Sequence, residues 1–218
     1  MFELKHDTIV FDCDGVILDS NRLKSDAFGL ALQGYDSEKV DQFVSWHKQA
    51  GGVSRYEKIA RFFTEYVEVD NTDWHISRAL ERFASIVSDG LREASYIAGF
   101  EDLISSVKDA ELPCSVNTGG DEAEVRSVFI HRQIESFFAR IYGSPTTKRN
   151  NMLRLKEDNL LGESGVYFGD SRLDYVLAQE FGLHFVFVQS KSEWQTATTE
   201  LNPLNSTVIF DLTSVRLA

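Results

Sequence analysis

The feature that most constrains the fold is a series of short apolar runs, rich in β-branched and aromatic residues, that recurs along the chain. Such runs predict strands, and the later ones are separated by intervals long enough for helices. Strands that alternate with helices are typical of a parallel sheet covered on both faces. The sequence therefore predicts an α/β fold. The predicted strands are Thr8 to Phe11, Cys114 to Val116, Arg140 to Tyr142, Gly165 to Phe168, His184 to Val188 and Thr207 to Phe210.

One interval, from about Ser20 to Ser95, has no convincing strand run. Its apolar residues follow helical spacing instead, which predicts a helical insertion. Two adjacent glycines, Gly51 and Gly52, divide the interval, and Gly90 and Gly99 lie near its exit. We expect turns or hinges at these glycines.

Composition limits the classes of partner. The chain of 218 residues has 22 Lys and Arg against 34 Asp and Glu, a formal charge of -12, which argues against broad binding of nucleic acid or of an anionic membrane. No stretch approaches the roughly 18 apolar residues of a membrane span, and the start lacks a signal-like pattern, so we expect a cytoplasmic protein. Cys13 and Cys114 lie in or beside apolar runs, and we expect buried free thiols.

The first candidate for chemistry is the segment FDCDGVILDS. A predicted strand ends in Asp12, continues through Cys13 to Asp14 and turns at Gly15. In an open parallel sheet, ligands bind at the carboxyl ends of the strands, so both carboxylates are at the expected edge. An Asp-x-Asp pair occurs by chance in ordinary chains, and its position after a strand is what makes it informative.

The second candidate is GDSRLD, where a predicted strand ends at Gly169 and is followed by Asp170 and, four residues later, Asp174. Three carboxylates at neighbouring strand ends would repel one another unless a cation lay among them. Oxygen ligands of this kind suit Mg²⁺. The charge count therefore predicts a magnesium site.

Two further segments offer groups for binding phosphate. Thr118 comes before Gly119 and Gly120, where a hydroxyl and close main-chain amides can cradle an anion. Lys148 follows the predicted strand Arg140 to Tyr142 and adds a positive charge.

The order and strand-end placement of these four segments resemble the haloacid dehalogenase superfamily, in particular members similar to phosphoglycolate phosphatase and β-phosphoglucomutase. The resemblance implies a Rossmann-like core at residues 1–17 and 96–218, with an all-helical cap domain at residues 18–95 inserted after the first strand. It also implies that Asp12 is the nucleophile, that Asp14 is the general acid and base, and that Thr118 binds phosphate.

The same resemblance gives roles to the other clustered residues. Lys148 would stabilise charge, and Asp174 would orient Lys148 or support the metal shell. Mg²⁺ would be bound by Asp12, Asp170 and Asp14, the last through its backbone carbonyl.

Structural alternatives exist for each residue. Asp12 and Asp14 can belong to a simple turn, and Asp170 and Asp174 to a helix cap with an exposed acid. Arg149 is a rival to Lys148. Thr118 can serve only to cap the next helix.

The segment WHKQAGGVSRYEK is the most informative part of the helical interval. It resembles the cap loop of β-phosphoglucomutase-like members, which implies that Arg55 reaches a second anionic group of the substrate, near Gly52. His47, Lys48 and Lys58 are further candidates for binding substrate.

These observations predict a magnesium-dependent phosphatase that acts on a small phosphorylated metabolite, with a sugar phosphate as one option, through an aspartyl phosphate on Asp12. A phosphomutase with the same nucleophile is the alternative. A silent binding protein and a dehalogenase fit less well. The expected partner is a small molecule rather than nucleic acid or a membrane, and the expected state is a monomer or homodimer.

Overall fold

The structure, a computed structural model, describes residues 1–218. Its main feature is a six-stranded sheet in the order β4-β3-β2-β5-β6-β7, in which every neighbouring pair is parallel. All six predicted strands are present, with β3 running well past its predicted end at Val116 and small changes at the ends of the others. The strands are β2 (Ile9–Phe11), β3 (Cys114–Asp121), β4 (Arg140–Ser144), β5 (Val166–Gly169), β6 (His184–Val188) and β7 (Ser206–Ile209).

Strand β2 lies at the centre of this sheet. Ile9 pairs with Cys114 of β3 on one side and with Val166 of β5 on the other. All three residues of β2 are buried, as expected for a strand with helices on both faces. Because the strands are parallel, the residues that follow β2, β3 and β5 meet at one edge of the sheet.

Helices connect the strands after β3 and pack on the sheet, which confirms the predicted α/β, Rossmann-like fold class. Helix α5 (Phe100–Asp109) precedes β3, and the helices after β3 are α6 (Glu122–His131), α7 (Lys148–Glu157), α8 (Arg172–Glu180) and α9 (Ala197–Glu200). Asp121 caps α6, Thr147 caps α7 and Ser171 caps α8, each by accepting a hydrogen bond from a main-chain N–H in the first turn of its helix.

The interval between β2 and α5 is helical, as its spacing predicts. It contains α1 (Asn21–Ala31), α2 (Ser37–Gln49), α3 (Arg55–Arg61), a π-helical turn (Phe62–Tyr66) and α4 (Thr72–Glu93). Residues of this segment, such as Phe28 and Phe83, belong to the same buried apolar cluster as Phe11 of the sheet. The division into a core and a cap remains a prediction.

Two short strands were not predicted. β1 (Phe2–Leu4) and β8 (Val215–Leu217) form a separate parallel pair, so the strand that precedes the helical segment is the second in the chain rather than the first. Three residues are too few to show the alternation by which a strand is recognised in a sequence.

The turn predicted at Gly90 is wrong, since Gly90 lies inside α4. A Cβ at this position would be 2.7 Å from Leu23 Cδ2, so glycine allows α1 and α4 to approach closely. The turn at Gly99 is confirmed by its φ of 86° at the start of α5.

None of the helices combines the length and apolar character that crossing a membrane requires. Cys13 and Cys114 are both buried and free, as predicted.

Candidate active site

Three acidic side chains converge at the carboxyl edge of the sheet. Asp12 follows β2, Asp170 follows β5, and Asp174 lies in the first turn of α8. All three are buried, and one carboxylate oxygen from each lies within 4.8 Å of the others. Burial raises the pKa of Asp12 to about 7, and burial together with the Asp12 carboxylate raises the pKa of Asp170.

Lys148, the first residue of α7, lies between two of these acids. Its Nζ donates to Asp12 Oδ1 at 2.7 Å and to Asp174 Oδ1 at 2.6 Å. Although burial opposes its charge, these two carboxylates raise the pKa of Lys148 well above its usual value. The rival Arg149 is exposed and pairs with Glu180, so Lys148 alone delivers positive charge here.

Both carboxylate oxygens of Asp174 accept hydrogen bonds from the protein. Its Oδ1 accepts from Lys148 and from the Tyr167 hydroxyl, and its Oδ2 accepts from the main-chain N–H and the hydroxyl of Ser171. Ser171 in turn accepts from the Asp174 N–H, which completes a capping box. The helix begins only at Arg172, so Asp170 lies before it and Asp174 lies in its first turn.

Asp12 and Asp170 each have one carboxylate oxygen that no protein group binds. Asp12 uses only Oδ1, and Asp170 accepts through Oδ2 from Asn21 Nδ2 at 2.6 Å. Asp12 Oδ2 and Asp170 Oδ1 receive no hydrogen bond from the protein. A Cβ on Gly15 would be 2.3 Å from Asp170 Oδ2, so the main chain after Asp14 also lies against this site. These hard oxygen donors fit Mg²⁺.

The Asp14 carboxylate has its own hydrogen-bond partners. Its Oδ1 accepts from the Ser20 hydroxyl at 2.5 Å, and its Oδ2 accepts from Lys24 Nζ at 2.6 Å. Burial alone would raise the pKa of Asp14, but Lys24 and Ser20 outweigh it, so the pKa is lowered. The group of acids that could hold a metal, Asp12, Asp170 and Asp174, does not include the Asp14 carboxylate, although this carboxylate is near enough to raise the pKa of Asp12.

Thr118 is completely buried, and its hydroxyl accepts from the Gly120 N–H at 2.9 Å. It does not cap the next helix, because Asp121 does so. Strand β3 continues past Thr118 to Asp121, with an irregular register after Asn117, whereas the sequence was read as ending the strand before Thr118.

The glycine loop of the helical segment touches the sheet edge directly. Gly52 has a φ of 81°, and a Cβ on Gly119 would be 2.3 Å from the Gly52 carbonyl oxygen. A Cβ on Gly51 would be 2.8 Å from Ser171 Cβ. Glycine at these positions lets two main chains meet without intervening side chains, so the loop lies directly against the sheet edge.

Arg55 lines the cavity beneath this loop, but its guanidinium already has acidic partners. It donates to both oxygens of Glu124 at 3.2 Å and lies 3.6 Å from Asp121. The arginine predicted to bind substrate thus joins α3 to the start of α6.

A series of hydrogen-bonded side chains lies on the helical side of the cavity. Lys58 Nζ is 2.7 Å from His47 Nδ1, and His47 Nε2 is 3.0 Å from Ser25 Oγ. Ser25 donates to Glu193 at 2.9 Å. Burial, with help from Lys58, lowers the pKa of His47 to about 2, and burial lowers the pKa of Lys58 to about 7. Lys48 is exposed and also lines the cavity.

The cavity between the sheet edge and the helical segment has a volume of about 70 Å³. Asp12, Asp14, Asp170 and Gly119 line it from one side, and Lys58 lines it from the other.

Sequence reasoning missed several residues of the site. Asn21, Lys24 and Ser25 lie on one face of α1, at a spacing that would have marked a polar stripe facing the cavity. Ser20, just before α1, donates its hydroxyl to Asp14 Oδ1. Glu193 lies in the loop after β6, and no signal in the sequence singles it out.

Comparison with known proteins defines the class of molecule. Residues 9–188 match the family described as haloacid dehalogenase-like hydrolase, which is most of the chain, so the protein belongs to this family. The predicted superfamily and the predicted class of enzyme, a hydrolase, are thereby confirmed.

Individual relatives are more distant. The chain is 24% identical to a phosphoglycolate phosphatase of Photobacterium profundum, over 82% of this chain and 81% of the relative. The fold is similar to CbbY from Rhodobacter sphaeroides in complex with xylulose-(1,5)bisphosphate, with a TM-score of 0.73, 20% identity and 97% coverage of both chains. It is also similar to β-phosphoglucomutase from Clostridium difficile, with a TM-score of 0.72, 16% identity, and coverage of 97% of this chain and 93% of the other.

Proposed function

We propose that this protein is a magnesium-dependent phosphatase that hydrolyses a small phosphorylated metabolite through an aspartyl phosphate on Asp12. One observation carries the proposal: Asp12 is buried, is held through one oxygen by Lys148, and keeps its other oxygen free at the cavity. A carboxylate held in this way has one oxygen fixed in orientation and one available to attack.

In the first step, Asp12 Oδ2 attacks phosphorus, a new O–P bond forms, and the bond from phosphorus to the substrate oxygen breaks. Asp14 gives a proton to the departing alkoxide. In the second step, Asp14 takes a proton from water, the water oxygen attacks phosphorus, and the bond to Asp12 breaks. Inorganic phosphate is released and Asp12 is regenerated.

Protonation of Asp14 changes between the two steps. Its lowered pKa keeps Asp14 ionised at neutral pH, which is the form that can accept a proton from water in the second step. In the first step it has to be protonated, and the negative charge of a bound phosphate ester favours this by raising its pKa. Hydrogen bonds from Ser20 and Lys24 hold the Asp14 carboxylate in position for both steps.

Asp12, Asp170 and the Asp14 main chain would hold Mg²⁺, which screens the charge between carboxylate and phosphate when bound. Lys148 places a positive charge beside Asp12, and Asp174 fixes Lys148 in that position. Thr118 and Gly119 would contact the phosphate oxygens beside the acids. These roles follow the chemistry of each group and its position at the sheet edge.

We propose residues 18–95 as a cap that closes this site against water, with residues 1–17 and 96–218 as the core. The direct contact of Gly52 with Gly119 supports this division, because it closes the cavity on the side of the sheet edge. The substrate class agrees with two relatives, one named for phosphoglycolate and the other bound to a bisphosphate.

The proposal is tested by incubating the protein with a set of phosphorylated metabolites and measuring inorganic phosphate and isomerised product together. We expect phosphate release that requires added Mg²⁺ and stops in excess chelator. Product isomerised without phosphate release would instead identify a phosphomutase. Unchanged rates in excess chelator would remove the metal from the mechanism.

A further inference from the structure

We propose that Lys58 binds a second anionic group of the substrate, so that the preferred substrates are phosphate esters carrying a further carboxylate or phosphate. The inference rests on the proposed function of the Asp12 site, and it assigns to Lys58 the task that the sequence suggested for Arg55.

Lys58 is a buried cation without an acidic partner. Its residue is 2% exposed, yet it lines the cavity. The only hydrogen bond of its ammonium is to His47 Nδ1, and no carboxylate oxygen lies within 4.0 Å of it. An ammonium has three N–H donors, so two remain without a protein acceptor. A buried charge in this state is costly unless an anion completes its surroundings.

The bond from His47 positions Lys58 without neutralising it. Because His47 Nδ1 accepts from the ammonium, the ring proton is on Nε2, which donates to Ser25 Oγ. Ser25 then donates to the Glu193 carboxylate. The chain ends in a negative charge, but that charge is separated from Lys58 by an imidazole and a hydroxyl, so no carboxylate contacts Lys58 directly.

The other cations of the cavity differ from Lys58. Arg55 is paired with Asp121 and Glu124, and Lys24 is paired with Asp14. Lys48 has no such partner but is exposed to water. Lys58 is therefore the buried cation in this cavity whose charge no carboxylate balances. A carboxylate or phosphate oxygen of the substrate would accept its two free N–H groups in a charge-assisted hydrogen bond.

The test uses two matched pairs of esters that differ in one anionic group. The first pair is phosphoglycolate and 2-hydroxyethyl phosphate, which tests a carboxylate. The second is glucose 1,6-bisphosphate and glucose 6-phosphate, which tests a phosphate. For each pair, kcat/KM is measured by phosphate release, and the ratio of the anionic to the simpler ester is compared between the wild type and Lys58→Met.

We expect the wild type to prefer the anionic ester in at least one pair, and Lys58→Met to lower that ratio by about tenfold or more, the size of one lost charge-assisted hydrogen bond. Ser25→Ala loosens His47 and should lower the same ratio by a smaller factor, which keeps the test available if Lys58→Met does not fold. Circular dichroism checks the folding of both variants.

Two controls separate this effect from a general change of charge. Lys39→Met removes an exposed lysine of α2, outside the cavity, and should keep the ratio. Arg55→Met should change both esters of a pair alike, because its guanidinium is already bound by acids. A ratio that falls in Arg55→Met and is unchanged in Lys58→Met would overturn the proposal.

The failure of the proposed function would look different. If the wild type releases phosphate from no ester, the phosphatase proposal fails, and calorimetric binding of the same four esters decides the role of Lys58. Tighter binding of the anionic ester by the wild type than by Lys58→Met supports that role, and equal affinities contradict it.

Discussion

The sheet side and the helical side of the site each bury one lysine, and the two lysines have opposite surroundings. Lys148 lies between the carboxylates of Asp12 and Asp174, at 2.7 and 2.6 Å. Lys58 contacts a neutral imidazole and no carboxylate. Their pKa values respond accordingly: nearby acids raise that of Lys148, and burial lowers that of Lys58 to about 7.

The two lysines therefore differ in whether a carboxylate of the protein contacts and balances their charge. The charge of Lys148 is balanced within the protein, so it can orient Asp12 in the absence of any ligand. The charge of Lys58 is unbalanced, so a ligand has to supply the counter-charge. We infer that the sheet side performs the chemistry common to many substrates, while the helical side selects among them.

The largest effect is expected from Lys148→Met. This change leaves the buried Asp12 and Asp174 carboxylates without their shared cation, which should cost about 3–5 kcal/mol in the free energy of unfolding. It should also lower kcat by about a thousandfold, because a preorganised charge beside the nucleophile is lost. Urea unfolding and phosphate release measure the two effects.

Arg149→Met is the matched control, since Arg149 is the next residue of α7 and is exposed. It should leave both the unfolding midpoint and kcat unchanged. Equal behaviour of the two variants would break the comparison, because the charge at position 148 would then be no more important than a charge at the surface.

A smaller loss is expected from Lys24→Met. Lys24 and Ser20 hold the Asp14 carboxylate, and without the ammonium that carboxylate is free to turn away from the reacting oxygen. General acid and base catalysis should weaken, with kcat lowered about 10- to 100-fold and KM little changed. Arg22→Met, an exposed change on the same helix, should have no effect. A change in KM alone would place Lys24 in substrate binding instead.

The smallest effect is a pH dependence that sharpens the contrast between the lysines. Burial lowers the pKa of Lys58 to about 7, with Glu193 and Asp14 raising it and Lys24 and Lys148 lowering it. Lys58 is therefore charged below pH 7 and loses its charge above it. The kcat/KM ratio of phosphoglycolate to 2-hydroxyethyl phosphate should fall about fivefold between about pH 6 and about pH 8.

The ratio is informative once it is corrected for the ionisation of each ester's phosphate, whose pKa is measured separately because the carboxylate of phosphoglycolate raises it. In Lys58→Met the ratio should not change with pH over this interval. A wild-type ratio that is constant or rises with pH would contradict the assignment of the second anionic group to Lys58.

Much of the fold could be predicted because apolar runs such as that of β6 are visible in the sequence itself. The same holds for the acids of the site: Asp12 and Asp170 directly follow such runs, so their common edge follows from parallel topology. The strands β1 and β8 carried too few residues to show a pattern.

The remaining part of the site depends on tertiary packing. Nothing in the sequence indicates that Glu124 would take the guanidinium of Arg55, because the two residues are far apart in the chain. The burial of Lys58 and its bond to His47 likewise arise from the packing of α3 against α2 and α1. A lysine on a helix is ordinarily solvated, so its type alone predicts exposure.

The central claim is that a phosphoryl group is transferred from the substrate to Asp12, and Asp12→Asn tests it most directly. Wild-type protein should yield an acid-quenched phosphoenzyme with the phosphate on residue 12, detected by mass spectrometry of the peptide. Asp12→Asn should fold, as judged by circular dichroism, and should give neither phosphoenzyme nor turnover. Phosphate release at the wild-type rate from this variant, or a phosphoenzyme labelled at another residue, would contradict the account.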